Sequence, residues 1–530
     1  MKISGLGVWN LYFLIKFALF AYGEISFHFL ENLAFFAFLT LSFSEAWQQR
    51  LKNVSAAIFA SALLYYDSWL PPISRLTKQV GNVQDFSLDY FFEISARVVS
   101  IDLLLSIFIV CVLYRFSHKW LRYTSISLLG FAYAYWLSTA PVINSSQTAQ
   151  LTEQRNQPIT STQPTVNVGA GKREQTPDEQ LEDFYQQQSL LKSVFPDRPT
   201  GEPFDVLILN ICSLATADLE AIGVDETQLF SNFDILFSDF NSATSYSGPA
   251  AIRLLRASCG QTSQTDLFKS VPEQCYLFNN LQELGYDTSV AMNHDGHFDD
   301  FKGLINKYGG MNTTELDFSG YSPAQYGFDG KPIYSDKDVL TNWLDAQSQN
   351  SGPRSLYYNT ISLHDGNQIA GYDRMSSTKS YPIRQQQLFS DINQFIEKLE
   401  QQQRNTLLVI VPEHGAALEG DKVQFSGLRE IPSPKIVSVP SAIKFIGPNV
   451  RHSGLIEVKD STSYFGLSEI ISRALRNDIF SGESSIQSLL DNLPRAPKVA
   501  ENEDTIMMYI GNKPYIQLDG GEWTAYPQSN

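Results

Sequence analysis

Residues 406–415 read Thr-Leu-Leu-Val-Ile-Val-Pro-Glu-His-Gly, an apolar run that ends on two residue types common among metal ligands. A buried strand of this kind presents the residues at its carboxyl end, Glu413 and His414, to the crevice where open α/β sheets hold their reactive groups. The stretch therefore predicts an α/β sheet with a functional site at the edge where its strands end.

Two further apolar runs end on candidate ligands. Val206–Ile211 leads into Cys212, and Tyr357–Leu363 leads into His364. One sulfur, two nitrogen and one carboxylate donor form a set that suits tetrahedral zinc. The sequence thus predicts a zinc metalloenzyme whose ligands are Cys212, His364, Glu413 and His414.

From about Phe204 onward, strand-like runs alternate with helical patterns. The remaining strand-like runs are Ile235–Phe237, Ser289–Met292, Ile443–Ile446 and Ile506–Ile510, and the helical patterns include Pro249–Ala257, Val339–Ser348, Pro382–Gln402 and Ser463–Leu475. This alternation indicates a mostly parallel sheet covered by helices on both faces. We expect residues 201–530 to form one catalytic α/β domain.

The first 141 residues contain five apolar stretches, at 6–23, 27–44, 54–70, 99–116 and 123–140. Each is near the ~20 residues that a membrane-crossing helix needs, so we predict a transmembrane domain of five helices over residues 1–141. Lys and Arg follow the second and fourth stretches and precede the first, which places the amino terminus inside and everything after residue 141 outside the cytoplasm. In a bacterium this is an inner-membrane protein with a periplasmic catalytic domain. Lys16, within the first stretch, is costly there unless it reaches the interface or finds a partner, for which a lipid phosphate is one candidate.

Residues 142–200 are rich in Gln, Ser, Thr, Asn and Pro, and this composition predicts a flexible periplasmic linker with a short helix at Gln180–Lys192. The formal net charge of −17 argues against nucleic-acid partners. Cys212, Cys259 and Cys275 all fall in the exported part, which is an oxidising environment. Cys259 and Cys275 are close enough in sequence to close a loop, and a metal would protect Cys212 as thiolate.

Ser247 precedes Gly248 and Pro249, a turn that begins a helix with proline at its first position. A hydroxyl there faces unpaired backbone N–H groups and the positive end of the helix dipole, which is a natural phosphate site. A neighbouring metal would make this hydroxyl a nucleophile. A plain helix cap is the alternative, and Ser242, Thr244 and Ser245 are rival hydroxyls.

Four other residues are candidates for substrate contacts. His294 and His297 follow a strand-like run and could bind a phosphoryl oxygen or protonate a leaving group. Arg429, shortly after the Glu-His pair, could clamp a phosphate through two hydrogen bonds. Tyr246 adjoins Ser247 and could stack or donate a hydrogen bond.

Five short motifs carry a family resemblance across essentially the whole chain. They are Asn210-Ile-Cys-Ser-Leu214, Asn241-Ser-Ala-Thr-Ser-Tyr-Ser-Gly-Pro249, Ala257-Ser-Cys-Gly-Gln261, Leu363-His-Asp-Gly366 and Val411-Pro-Glu-His-Gly415. With them the chain resembles the phosphoethanolamine transferases of the alkaline phosphatase superfamily, and within these the branch that modifies bacterial cellulose. The resemblance implies Ser247 as nucleophile, the four zinc ligands above, a Cys259–Cys275 disulfide, and Tyr246 and Arg429 near the substrate.

The same resemblance implies the reaction. Phosphoethanolamine would pass from phosphatidylethanolamine to Ser247 and then to a glucosyl 6-hydroxyl of nascent cellulose, with subunits of the cellulose synthase complex as partners. Transfer to another envelope glycan or lipid, or a mainly scaffolding role in that complex, are the alternatives. A formylglycine sulfatase is disfavoured because Cys212 is followed by Ser-Leu-Ala-Thr and not by the Cys-x-Pro-x-Arg pattern.

Overall fold

A computed structural model describes residues 6–21, 25–41, 43–68, 90, 92–93, 101–117, 120–139, 175–314 and 316–527. The chain divides into two compact units, Met1–Pro72 with Val99–Gln175 and Ile73–Val98 with Thr176–Asn530. The second unit therefore begins earlier than the predicted catalytic domain. It also takes in residues 73–98, which the sequence assigned to the transmembrane domain.

Five helices are described in the first unit, and each overlaps one of the predicted apolar stretches. They are Trp9–Ala21, Phe29–Thr40, Ala46–Asp67, Ile101–Ser117 and Tyr123–Thr139. Among the described residues, no helix combines the length and the hydropathy that a bilayer crossing requires. The five transmembrane helices stay a prediction.

Lys16 lies in the interior of the first unit and not at an interface. Its side chain is fully buried, forms an ion pair with Asp67 and donates to Asn32 Oδ1 over 2.7 Å. Asn32 in turn donates to Asp67 over 2.8 Å, so the buried charge is paired and hydrogen-bonded. The partner that this buried charge requires is thus an internal carboxylate of the chain and not a lipid phosphate.

The second unit is built on a seven-stranded sheet with the strand order β10-β2-β9-β8-β1-β6-β3. All neighbouring strands are parallel except β9, which runs antiparallel to both β2 and β8. This confirms the predicted mostly parallel sheet. The strands are β1 Asp205–Ile211, β2 Ile235–Asn241, β3 Asp287–Met292, β4 Pro323–Tyr326, β5 Pro332–Tyr334, β6 Arg354–Thr360, β7 Gln368–Ile369, β8 Thr406–Pro412, β9 Ser438–Ile446, β10 Ile456–Val458, β11 Val499–Asn502, β12 Thr505–Ile510, β13 Lys513–Leu518 and β14 Thr524–Ala525.

Helices cover the sheet on both faces, so its central strands β1, β6 and β8 are buried along their whole length. Along β1, Val206 and Ile208 pack into one buried cluster while Leu207 and Leu209 pack into the other, as the two-residue repeat of a strand requires. The α-helices of this unit are Pro177–Ser189, Thr216–Ala221, Glu226–Leu229, Ser247–Leu255, Gln264–Leu267, Leu277–Glu283, Phe301–Gly309, Asp336–Ala346, Ser377–Gln401, Pro434–Val437 and Tyr464–Arg476. Short 3₁₀ helices occur at Glu273–Cys275, Phe298–Asp300 and Ile486–Leu490.

Two predicted elements differ from the structure. The run Tyr357–Leu363 leaves the sheet at Thr360, so His364 lies on a loop beyond β6. The run Ile506–Ile510 is a strand, but it belongs to a separate four-stranded antiparallel sheet, β11-β12-β13-β14. A third sheet joins β5, β4 and β7.

The predicted linker is described only from residue 175, and there it is folded. The helix expected at Gln180–Lys192 is present as Pro177–Ser189, started by a capping box between Thr176 and Glu179. Its Phe184 is buried against Val499 and Met508. Residues 142–174 lie outside the described part of the chain.

Candidate active site and metal centre

Adjacent strand ends bring the first ligand candidates together. β1 and β8 are paired in parallel register with Ile211 opposite Pro412, so the residues that follow them, Cys212 and Glu413, leave the sheet side by side. The ligand atoms of Cys212, Glu413 and His414 all lie within 4.8 Å of one another, and all three residues are buried. A sulfur, a nitrogen and an oxygen donor thus converge at the carboxyl edge of the sheet.

Ser247 stands at this cluster as the first residue of the helix Ser247–Leu255. Its Oγ lies 3.5 Å from Cys212 Sγ and 3.3 Å from His414 Nε2. The three rival hydroxyls are fully buried and bonded elsewhere: Ser242 to Thr244 O, Thr244 to Asn502, and Ser245 to Arg429 O. Ser247 is therefore the hydroxyl of this loop that faces the cluster.

Glu413 supports the interpretation of this cluster as a cation site. One carboxylate oxygen, Oε1, accepts a 2.6 Å hydrogen bond from Asn359 Nδ2. The other, Oε2, is buried without a well-formed hydrogen bond to any described residue and lies 3.9 Å from His414 Nε2. Burial raises the pKa of Glu413 above its usual value. An uncompensated buried carboxylate oxygen is costly unless a cation or proton meets it.

Cys212 and His414 complete a donor set that fits zinc. Burial, reinforced by the Glu413 charge, raises the pKa of the Cys212 thiol to about 12, so a bound cation would be needed to hold the thiolate. The His414 Nδ1 is 2.9 Å from the Gly415 carbonyl, which can only accept, so Nδ1 carries the proton and Nε2 offers its lone pair to the cluster. Burial and the nearby Arg429 guanidinium hold the pKa of His414 well below its usual value, which keeps the ring neutral.

Profile matches of the sequence decide the family. Residues 162–523 match the model of the cellulose biosynthesis protein BcsG C-terminal domain, and residues 9–136 match that of the BcsG N-terminal domain. The chain belongs to the BcsG family.

Two curated members of the BcsG family align with nearly the whole chain. The cellulose biosynthesis protein BcsG of Salmonella typhimurium strain LT2 is 38% identical over 552 aligned residues, covering 99% of this chain and 97% of the relative. The protein of the same name from Escherichia coli strain K12 is 37% identical with the same coverage.

Solved structures give weaker similarity. A Vibrio parahaemolyticus protein of the alkaline phosphatase superfamily has a TM-score of 0.48 at 14% identity, covering 66% of this chain and 88% of its own. The zinc complex of the EptC periplasmic domain from Escherichia coli has a TM-score of 0.43 at 13% identity, covering 59% and 93%. The BcsG assignment rests on the sequence matches.

His364 lies outside the three-residue group of this BcsG-family site. Its Nδ1 is 2.7 Å from the Asp365 carbonyl, so Nδ1–H donates and Nε2 is unprotonated. Burial, with a further effect of the Arg429 charge, lowers the pKa of His364 to about 4. The ring lies 5.2 Å from that of Phe328. Its role as fourth ligand stays a prediction, and the Asp365 backbone carbonyl orients the ring.

Arg429 contacts the ligand candidate His414, and Tyr246 directly precedes the nucleophile in sequence. Arg429 Nη1 is 3.0 Å from His414 Nδ1 and 3.2 Å from Nε2, which places the guanidinium against the cluster. Tyr246 caps the Ser247 helix, and its hydroxyl donates to Glu430 Oε1 over 3.0 Å. Both residues stay predicted substrate contacts, and the structure adds that Tyr246 is tied to the neighbour of Arg429.

The two histidines of the 293–298 segment differ in position. His294 is buried, its Nδ1 accepts from the Gly296 N–H over 3.1 Å, and its Nε2 therefore donates to Asn359 Oδ1 over 2.8 Å. Asn359 then donates to Glu413, so His294 stands behind that carboxylate. The His297 side chain is exposed. Substrate contact by either histidine stays a prediction.

Sequence reasoning did not single out Asn359 or Asp218. Asp218 is buried and accepts the backbone N–H groups of Ala215, Ala416 and Leu418 over 3.0, 2.6 and 3.2 Å, which joins the loops after β1 and β8. The sequence signal that could have identified Asn359 is an amide side chain within a strand predicted to be buried. A buried polar group requires a hydrogen-bond partner, and at the end of this strand the partner would be a site residue. The Cys259–Cys275 disulfide is present and connects the end of the Ser247 helix region to Glu273–Cys275.

Proposed function

We propose that the chain is a zinc-dependent phosphoethanolamine transferase that uses Ser247 to carry phosphoethanolamine from phosphatidylethanolamine to a glucosyl 6-hydroxyl of nascent cellulose. The observation that carries the proposal is the position of Ser247 Oγ, at a helix start and within 3.5 Å of both Cys212 Sγ and His414 Nε2. The cellulose acceptor is taken from the named role of the BcsG relatives.

Cys212, Glu413 and His414 would hold the zinc ion, with His364 as the proposed fourth ligand. When bound, zinc supplies positive charge that lowers the pKa of the serine hydroxyl and offsets charge on a phosphoryl oxygen. The buried Glu413 Oε2 and the neutral Nε2 of His414 are the features of this chain that favour such an ion.

In the first half of the reaction, Ser247 Oγ loses its proton and attacks the phosphorus of the lipid. The bond from serine oxygen to phosphorus forms as the bond from phosphorus to the glycerol oxygen breaks. Diacylglycerol leaves after its oxygen takes up a proton, and phosphoethanolamine remains on Ser247. The helix start favours this step because its backbone N–H groups and dipole attract the phosphoryl oxygens.

In the second half, the glucosyl 6-hydroxyl attacks the same phosphorus and Ser247 is released. The acceptor loses a proton and the serine oxygen regains one, so the enzyme returns to its starting state. The Arg429 guanidinium, held against His414, would pair with the phosphoryl oxygens in both halves. Tyr246, fixed to Glu430, would line the same pocket.

The location that suits this reaction is the bacterial inner membrane, with residues 1–141 embedded and the catalytic unit in the periplasm. A lipid donor in the same bilayer is then present at high effective concentration. Nascent cellulose and subunits of the cellulose synthase complex would be partners on that side, and the net charge of −17 disfavours nucleic acid.

Replacement of Ser247 by alanine tests the proposal in cells that make cellulose. We expect Ser247→Ala to abolish phosphoethanolamine on cellulose at a normal protein level, as read by solid-state NMR of the polymer. Ser263→Ala is the matched control, since Ser263 caps the short helix Gln264–Leu267. Persistent modification in the Ser247 variant contradicts the proposal. If cellulose is modified normally in both variants but phosphoethanolamine is lost from a lipid or another glycan in the Ser247 variant alone, that molecule is the acceptor.

A further inference from the structure

A segment distant in sequence contacts the loop that carries His364. Residues Ile73–Val98, which lie between the described helices Ala46–Asp67 and Ile101–Ser117, belong to the second unit. Tyr90, Phe92 and Glu93 are described in this segment, and Tyr90 is 6% exposed. Tyr90 contacts Asp365, the residue after His364, and Glu93 contacts Ser377, which holds the next residue, Gly366.

Tyr90 acts on the residue next to His364. Its hydroxyl donates to Asp365 Oδ2 over 2.8 Å, across 275 positions of sequence. The backbone carbonyl of the same Asp365 accepts from His364 Nδ1, which sets the tautomer of that ring. Tyr90 thereby fixes the residue whose carbonyl orients His364.

Glu93 acts one residue further along. Its Oε1 accepts the backbone N–H of Ser377 over 2.7 Å, at the start of the helix Ser377–Gln401. The Ser377 hydroxyl accepts the Gly366 N–H over 2.7 Å. Glu93 therefore holds the helix start that anchors Gly366.

Ring packing gives a third connection to the same loop. The Tyr90 ring lies 5.7 Å from that of Phe328, and the Phe328 ring lies 5.2 Å from that of His364. Gly366 has φ of +83°, and a Cβ there would come within 2.7 Å of both Tyr90 and Phe328. The packing is close enough to require glycine at 366, and Phe328 lies in contact with both Tyr90 and His364.

We propose that Tyr90 and Glu93, which lie between the third and fourth predicted transmembrane stretches, are positioning residues for His364. The inference rests on the proposed function in assigning His364 to the site. A fragment that starts at residue 176 or later would retain Ser247, Cys212, Glu413 and His414 but would lack this support. Such a fragment should therefore turn over more slowly than the full chain.

The test uses full-length Tyr90→Phe and Glu93→Ala, each of which removes the bond in question, with Tyr372→Phe at an exposed tyrosine as control. Transfer is measured with vesicles of phosphatidylethanolamine and a soluble cello-oligosaccharide. Loss of a hydrogen bond to a carboxyl group predicts that kcat falls by about ten-fold in the Tyr90 variant while KM for the lipid is unchanged. The control should match the parent chain.

A second readout follows the histidine itself. Diethylpyrocarbonate labelling, quantified by peptide mass spectrometry, should modify His364 faster in both variants, with His452 as an internal reference for global unfolding. His452 is half-exposed and pairs with Asp234, away from this loop. An unchanged labelling rate of His364 overturns the inference. An equal increase in the labelling rates of His364 and His452 overturns it as well. If the parent chain transfers no phosphoethanolamine, the proposed function fails while the labelling result still decides the role of Tyr90 and Glu93.

Discussion

Replacing Asn359 by alanine should weaken metal binding without touching a ligand. The variant removes the 2.6 Å bond to Glu413 Oε1, which leaves a fully buried carboxylate whose other oxygen already lacks a well-formed partner. A hydrogen bond to a charged group contributes about 1.5–3 kcal/mol, and loss of a bond that orients a metal ligand typically lowers affinity by about 10- to 100-fold. We expect Asn359→Ala to lose zinc affinity within that range.

The assay is competition for zinc between the purified full-length protein and a fluorescent chelator. Asn280→Ala is the matched control because Asn280 is also a buried amide, and its bonds go to Ser258 and Gln274 O and not to Glu413. His294→Ala should give a smaller loss, since it frees the Asn359 amide to turn while leaving that residue in place. Zinc affinity equal to the parent chain in Asn359→Ala would refute the reasoning, and an equal loss in Asn280→Ala would assign the effect to general destabilisation.

Three further changes address the stability of the catalytic unit, each read as the free energy of unfolding in urea. Replacing Cys259 and Cys275 by serine opens a loop with a sequence separation of 16 and should cost about 3 kcal/mol, an effect that reductant should reproduce in the parent chain. Asp218→Ala leaves three backbone N–H groups without their acceptor, which should lower the free energy of unfolding by about 1–3 kcal/mol for each group. A total loss below about 1 kcal/mol would contradict the role of Asp218 as their common acceptor. Burial raises the pKa of Asp336 from 3.8 to about 6, so between these pH values the folded state binds a proton that the unfolded state does not. The stability that this proton provides is complete below about pH 4. The free energy of unfolding then falls by up to about 3 kcal/mol as the pH rises through 6. Asp336→Asn should flatten that decline, and an unchanged pH profile would contradict it.

The central strands were predictable because their surroundings are uniform. Thr406–Pro412 is buried at every position and has helices on both faces, so an apolar, β-branched run leaves little choice but a central strand. The same argument located β1 and the ligands that follow these two strands. The family motifs then identified Ser247 among several hydroxyls, a choice that the residues alone left open.

The errors arise where the partner of a segment, and not its own periodicity, determines the outcome. The alternating pattern of Ile506–Ile510 predicts a strand but not the sheet to which it belongs. This strand pairs with β13 across the turn Gly511-Asn512. Such a turn is a hairpin signal that the periodicity of the strand does not contain. His364 was placed at a strand end, yet β6 stops at Thr360 and the loop beyond it is held by other segments. Asn359 and Tyr90 are assigned roles because of hydrogen bonds to Glu413 and Asp365, which lie 54 and 275 positions away in sequence. No local sequence pattern predicts contacts at such separations.

The central claim is that Ser247 carries the transferred group. The most direct measurement is mass spectrometry of the peptide that contains Ser247, after the full-length enzyme has been incubated with phosphatidylethanolamine in the absence of acceptor and quenched in acid. We expect a mass increase equal to one phosphoethanolamine group, located on Ser247 and removed when a cello-oligosaccharide is added before quenching. An unmodified peptide from an enzyme that still forms product, or the group on Thr244 or another residue, would contradict it.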